Sequence, residues 1–233
     1  MRKKYSTDTT DAEWEILEPF FPEAQWHEHL QEPKYRRRDI VDAIFYRMRA
    51  GCQWHNLPHD FPPWKQVFEY YRRWKRKGLI EHMHNCLRDR VREMTPHGDG
   101  TEREVSATAC ILDSQSAKTS EEGSSVCGFD AGKRVKGRKR HIVVDMLGLI
   151  LAMSVTRAGV QDRDVALSLI GQAKEEHAGL SVAYMDGGYR GSLESRIEKD
   201  TGVRVEIVLR SDTQKKVSRS YPGDGSSNEP SAG

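Results

Sequence analysis

Ala109-Cys110-Ile111-Leu112-Asp113-Ser114-Gln115-Ser116 and Leu180-Ser181-Val182-Ala183-Tyr184-Met185-Asp186-Gly187-Gly188-Tyr189-Arg190 decide how this chain is read. In each stretch a run dominated by apolar residues stops at one aspartate and gives way to small or polar residues. Apolar runs of that length, flanked by turn-formers, read as buried strands. Each Asp then closes a strand at its C-terminal end, the edge of an open α/β sheet where ligands collect. Two carboxylates brought together there repel each other, and a divalent cation between them relieves the repulsion. One such Asp alone more often starts a turn or caps a helix. The pair, with its surroundings, is what points to chemistry.

Outward from these stretches, the pattern between residues 105 and 209 is strand-rich. Strands are expected over 105–112, 140–146, 149–156, 180–185 and 203–209, the second and third forming a hairpin around Leu147-Gly148. Helices are expected over 163–178, capped by Asp162, and over 193–200. Residues 114–138 read as irregular. Three antiparallel strands followed by right-handed crossovers give an α/β fold with a mixed sheet in ribonuclease-H-like order. In that order the first and fourth strands lie side by side, which brings Asp113 and Asp186 to one edge.

The segment ending at His141 carries Lys133, Arg134, Lys136, Arg138, Lys139 and Arg140 within a few residues of one another. Such density is costly by self-repulsion unless a polyanion is near, so these six read as phosphate contacts. Before residue 90 the pattern is helical. A first helix, capped by Thr9 or Thr10, carries Trp14, Ile16, Leu17 and Phe20. A second covers 36–50 and stops at Gly51. A third covers 64–77 and places Trp64, Phe68, Tyr71 and Trp74 at three- and four-residue steps, a stripe that reads as core. Its other face holds Arg72, Arg73, Lys75 and Arg76. A helix, a tight turn and a basic second helix fit a small all-α, helix-turn-helix-like DNA reader; a solvated helix face with surplus Arg fits equally. The domain organisation expected is a helical domain over 8–90, a linker over 91–104, a core over 105–212 and a tail over 213–233.

Composition narrows the classes. With 233 residues, 36% hydrophobic and 31% charged, the chain can bury a real core under a strongly ionic surface, and its net charge of +2 conceals the local clustering. Cys52, Cys86, Cys110 and Cys127 form no C-x-x-C pair, which argues against a zinc site or disulfide framework and fits a reducing compartment. No apolar run approaches the roughly 18 residues of a membrane span, and Met-Arg-Lys-Lys-Tyr-Ser is unlike a signal peptide. A soluble intracellular protein with no membrane partner is the expectation.

D-S-Q-S-A-K-T, then G-F-D-A-G-K-R-V-K-G-R-K-R-H-I-V-V-D-M-L-G-L, G-V-Q-D-R-D and Y-M-D-G-G-Y-R-G resemble the insertion-sequence transposases of the IS5 family. D-A-E-W-E-I-L-E-P-F-F-P and A-G-C-Q-W-H-N-L-P-H-D-F-P-P-W resemble the helical domain that precedes the catalytic core there. The likeness runs from about Thr10 to Asp212. It implies a DDE transposase, in which two aspartates and a glutamate hold two divalent ions, Mg2+ or Mn2+, on a ribonuclease-H-like fold. Residue by residue it places the first carboxylate on Asp113 and the second on Asp186, and leaves Asp130, Asp145, Asp162 and Asp164 as loop or structural residues. Two metals roughly 4 Å apart can activate an attacking water or 3′-hydroxyl and stabilise the leaving oxygen of one in-line displacement. The partner implied is double-stranded DNA, both element ends and target. Protein partners would be a second copy of the chain or a longer frame-shifted product.

The chain departs from the family at its end. There the third carboxylate lies on a helix after the last strand, in a run resembling P-R-R-W-V-V-E-R-T-F-G-W. Here the last residues, from Ser218 onward, are S-R-S-Y-P-G-D-G-S-S-N-E-P-S-A-G, without apolar periodicity, and read as disordered. Glu229 in that tail is followed by Pro230 and is not read as catalytic. Codons for Tyr221 to Gly233, reread from each third base, are compatible with P-R-R-W-V-V-E-R-T-F-G-W throughout. A frameshift therefore accounts for the tail: either a simple indel, leaving a relic, or ribosomal slippage on Gln214-Lys215-Lys216, which can be encoded as CAA-AAA-AAG. The expected function is DNA strand cutting and joining, impaired in this form. The other reading is a non-catalytic DNA-binding regulator of transposition. Loss of the terminal helix should also leave one face of the sheet under-covered.

Overall fold

The computed structural model describes residues 4–21, 35–98, 100–119 and 127–209. Its contacts divide the chain into two compact units, Met1–Arg90 and Val91–Gly233. The expected tail, with Glu229 and the 214–216 slip site, lies outside the described residues.

The first unit is helical: α1 (Asp11–Leu17), α2 (Arg37–Ala50), α3 (Trp64–Arg76) and α4 (Leu79–Glu93), whose last residues belong to the second unit. Thr10 opens α1 with a reciprocal cap: Glu13 N donates to Thr10 Oγ1 (3.2 Å) and Thr10 N to Glu13 Oε2 (2.7 Å). The core gathers Ile40, Val41, Ala43 and Ile44 of α2 with Val67 and Trp74 of α3. Trp54 lies 5.3 Å from Phe68 and 5.2 Å from Tyr71, ring centre to ring centre. The aromatic stripe of α3 is thus core-facing except at its start, where Trp64 stays 37% exposed. Arg72, Lys75 and Arg76 are exposed and Arg73 partly so, with Arg72 pairing Glu69 at 3.0 Å.

The helix connections differ from the expected tight turn before α3. Residues 51–63 form a long link containing a single 3-10 turn, Trp54–Asn56, because Pro58, Pro62 and Pro63 supply no amide donors to continue a helix. The tight turn follows α3 instead, at Lys77-Gly78, where Gly78 takes the left-handed conformation (φ +69°).

The second unit is a mixed sheet with two helices: β1 (Ala109–Lys118), β2 (Gly128–Asp130), β3 (Val135–Asp145), β4 (Ile150–Arg157), α5 (Asp162–Glu176), β5 (Val182–Asp186), α6 (Ser192–Thr201) and β6 (Arg204–Val208). β1 pairs antiparallel with β3 and parallel with β5, β6 runs parallel to β5, and both β2 and β4 pair antiparallel with β3. Traced through β4, the order β4-β3-β1-β5-β6 is the ribonuclease-H-like one. The first strand and the one after α5 are neighbours, as the pattern required.

Pleating splits the sheet into two faces. Cys110, Leu112, Val143, Ala183 and Met185 share a buried core with Ala166, Leu169 and Ile170 of α5 and Leu193 and Ile197 of α6. The alternate residues Ile111, Met153, Val155 and Val208 are 38 to 59% exposed. Strand bounds shift in two places. β1 runs on to Lys118, so Asp113 lies inside a strand rather than at its end, and β3 reaches back to Val135 through the basic run. Alternation explains the latter: Lys136, Arg138 and Arg140 point to one face while Gly137, Lys139 and His141 point to the other, halving the crowding of charge. Among the described residues no helix is long and apolar enough to cross a membrane.

A buried ion pair ties this sheet to the chain before it. Arg92 and Asp145 are 5% and 1% exposed; Arg92 Nη1 donates to Asp145 Oδ2, and Arg92 Nε to the Val105 carbonyl at 2.8 Å. Asp145 Oδ1 accepts from Leu147 N (2.8 Å) and Leu149 N (2.9 Å), which shapes the β3–β4 turn. Removing one partner strands the other charge in the interior. Arg92→Met should therefore lower unfolding stability by about 3–5 kcal/mol in urea titrations. A loss within the range of ordinary surface changes would show the pair to be solvated.

Candidate active site

Asp113 and Asp186 come together through the parallel pairing of β1 and β5. The register runs Ala109↔Val182, Cys110↔Ala183, Ile111↔Tyr184. Two residues further, each strand carries its aspartate, so both side chains leave the sheet on the same face, the one opposite α5 and α6. Both are exposed. Each carboxylate is held by a backbone amide: Ser114 N donates to Asp113 Oδ1 at 2.7 Å and Gly188 N to Asp186 Oδ1 at 2.9 Å. The Gly187-Gly188 pair makes the second contact practicable, since a Cβ at residue 188 would lie 3.0 Å from Asp186 Oδ1. Each second oxygen, Oδ2, stays available.

Two hard carboxylate oxygens on one face suit a hard divalent cation such as Mg2+ or Mn2+. Among the described residues no cluster of three or more His, Cys, Asp or Glu side chains is placed to hold a metal ion. The donor set therefore fits such an ion but is short of a full set.

The basic run separates into two populations. Lys133, Arg134, Lys136 and Arg140 are exposed and Arg138 is half-buried. Lys133 Nζ donates to the carbonyl of Ser114 at 3.4 Å, which sets a cation one residue from Asp113. Arg140 Nη2 donates to Gln115 Oε1 at 2.8 Å, on the Asp113 face. Arg157, which pattern reading passed over, stands directly across from Arg138 and is exposed. Only strand register could have revealed it, because it lies far from the run in sequence.

Lys139 departs from the expected phosphate contact. Its ammonium is 7% exposed and sits among Asp130 Oδ2 (3.4 Å), Asp162 Oδ1 (3.2 Å) and the Val160 carbonyl (3.0 Å). It points to the face of α5, where two carboxylates neutralise it. His141, 1% exposed, places Nε2 2.9 Å from Thr156 Oγ1 and Nδ1 3.6 Å from Asp162, and burial holds its pKa below the usual imidazole range against the pull of Asp162. Burial, then the charges of Asp162, Asp186 and Asp113, push the Tyr189 hydroxyl up, with Ser114 opposing. The phenol is buried in the core shared with α5 and α6.

A family model described as "Transposase DDE domain" matches residues 105–230, and one described as "Putative transposase of IS4/5 family (DUF4096)" matches residues 9–84. The chain belongs to the DDE transposases of the IS4/5 family. A curated relative, the uncharacterized protein y4sN of Sinorhizobium fredii, is 27% identical over 73 residues, 31% of this chain and 57% of the relative. Among solved structures, the Drosophila P element transposase strand transfer complex aligns at TM-score 0.37 and 11% identity, covering 88% of this chain and 49% of that one. The simian T-cell lymphotropic virus intasome with the PP2A regulatory subunit B56 gamma aligns at TM-score 0.33 and 14% identity, covering 49% and 37%. The matches thus span between about a third and somewhat over half of these relatives' lengths.

In this DDE-family chain Asp130 is the anchor of the loop that carries Lys133. Its carboxylate accepts from Lys133 N (3.0 Å) and Ser116 Oγ (2.7 Å); these bonds, with the Lys139 charge, bring its pKa to about 2. A depressed folded-state pKa stabilises the fold above the unfolded value and ceases to do so below the folded one. Stability contributed by Asp130 is therefore intact above about pH 4 and should fade as pH falls towards 2. Asp130→Asn should flatten that acid limb when stability is measured against pH. A limb of unchanged steepness would place the anchoring elsewhere.

Proposed function

We propose that the chain is the catalytic polypeptide of a DNA transposase that cuts and joins DNA strands by phosphodiester transfer. The carrying observation is the pair Asp113 and Asp186, on one face of adjacent parallel strands, with Lys133 beside it. Asp113 and Asp186 would hold the divalent ions, two in a complete site; an ion there supplies Lewis-acid polarisation of a phosphodiester oxygen and makes a bound water more acidic. The protein's own groups bind and orient. Lys136, Arg138 and Arg140 line the same face and would hold successive phosphates of the strand, and Lys133 would fix a phosphate oxygen next to Asp113. Arg72, Arg73, Lys75 and Arg76 of α3 would contribute to recognising element ends.

In this form the enzyme would be impaired. Two carboxylates leave the cation under-coordinated, and the third is proposed to come from a longer product made by a frameshift between codons 212 and 220. A second reading, a regulator that occupies element ends without cutting them, is favoured by one observation: the described residues keep the cationic face intact but form no three-ligand site. Protein partners in either case would be a second copy or the longer product.

Asp113→Asn or Asp186→Asn should abolish metal-dependent strand cleavage by a frame-restored chain while end binding in gel-shift titrations persists. Unchanged cleavage would remove both residues from the site. DNA affinity measured against salt separates the two populations of the basic run. Arg140→Ala should reduce the steepness of the log–log salt plot by about 1, the value for one phosphate contact. Lys139→Met, buried and paired, should lower that steepness by no more than Lys133→Ala does, since its route to DNA runs through the Asp130-held loop of Lys133; a larger reduction would return Lys139 to the DNA surface.

A further inference from the structure

The cationic face carries one residue that electrostatics does not explain. Phe129, in the three-residue strand β2, is 58% exposed, although burying an aromatic ring is among the larger gains available to a fold. Its direct cross-strand partner is Lys136, so ring and ammonium stand on the same face. Arg157 is next to them: a Cβ added to Gly128 would lie 3.0 Å from Arg157 Cβ and 2.9 Å from Gly159 N. Across from Arg157 is Arg138, so two guanidinium side chains stand in register on the same face. Phe129, Lys136, Arg138 and Arg157 therefore make one patch, an aromatic ring surrounded by cations.

The ring is presented on a fixed support. Gly128 packs against the chain at 157–159 so closely that no side chain fits between them. On the other side Asp130 is bound by Ser116 Oγ, Lys133 N and the buried Lys139. Beyond it the turn into β3 places Arg134 in the left-handed region (φ +52°), strained for a residue with a side chain. A loose exposed Phe would be incidental. One clamped at both neighbours and flanked by cations has the composition of a single-strand nucleic-acid surface, where charges follow the backbone and aromatic rings take the bases.

We propose that Phe129 is a stacking platform for an unpaired base of the DNA strand whose phosphates lie on Lys136, Arg138 and Arg157. This rests on the DNA-handling role proposed above and adds to it a preference for DNA that is unpaired beside the duplex. Strand alternation gives Lys136 and Arg138 a spacing of roughly 6.8 Å, comparable with successive phosphates along one strand, and Arg157 stands beside Arg138 on the next strand.

The test uses the full chain and two fluorescein-labelled DNAs, a blunt duplex and the same duplex with a single-stranded extension containing 2-aminopurine. Wild type should bind the extended DNA more tightly and change the 2-aminopurine emission. Phe129→Ala should weaken binding of the extended DNA roughly tenfold, lose the emission change, and leave both the blunt duplex and the salt steepness unaltered. Phe129→Trp should retain the preference. Equal binding of the extended DNA by Phe129→Ala and wild type would overturn the proposal, as would a change only in sedimentation, which would make the ring a protein contact. Failure of wild type to bind either DNA would instead overturn the DNA-handling reading, and this one with it.

Discussion

The parallel pairing of β1 with β5 is the constraint on which the rest depends. Residue spacing along a strand is fixed, and side chains alternate with a period of two, so a register shift of one residue would send Asp113 and Asp186 to opposite faces. The register is set from the buried side. Cys110, Leu112, Ala183 and Met185 must all meet α5 and α6, and that requirement leaves the alternate positions, including both aspartates, to the open face. The placement of the two carboxylates is thus a by-product of hydrophobic packing on the other side of the same strands.

A second layer keeps the open face in shape from below. Buried Lys139 and His141 form a polar group with the partly exposed Asp130 and Asp162 at the end of the sheet, reaching the β2–β3 loop, the α5 start and β4. Burying charge is costly unless it is paired and hydrogen-bonded, and the lysine here meets two carboxylates and a carbonyl. What this arrangement gains is placement: Asp130, held by Lys139, holds the backbone of Lys133, whose ammonium reaches the residue after Asp113. A residue inside a basic run therefore acts on the far side of the sheet from its neighbours, through them rather than beside them.

Much of this was legible in the residues. The apolar runs ending at Asp113 and Asp186 gave the strands and their order, because buried strands need continuous apolar residues and crossovers have a fixed hand. The helical N-terminal region was legible from the periodicity of Trp14, Phe68, Tyr71 and Trp74. Strand ends were less so. Asp113 read as a terminus because polarity follows it, yet Ser114, Gln115 and Ser116 stay in the ladder by pairing with His141, Arg140 and Lys139. The same pairing hid the difference between Lys139 and Arg140: along the chain they are two adjacent cations, and only the pleat separates them. Arg157 and Phe129 carried no signal of their own, since each acquires meaning from a partner across the sheet.

The open face links the chemical deficit to a physical one. Among the described residues the carboxylate pair has no third donor, and the same face exposes Ile111, Met153, Val155 and Val208, apolar side chains that a two-sided α/β sheet normally covers. An amphipathic helix laid over that face would bury these residues and, from its inner edge, could bring one acidic side chain to Asp113 and Asp186. Its burial energy would offset the cost of bringing a third negative charge towards two others, which a cation then neutralises. In the proposed longer product one segment would therefore meet both needs, and neither could be met without the other. In that proposed product, stability of the sheet and competence of the site would become a single property.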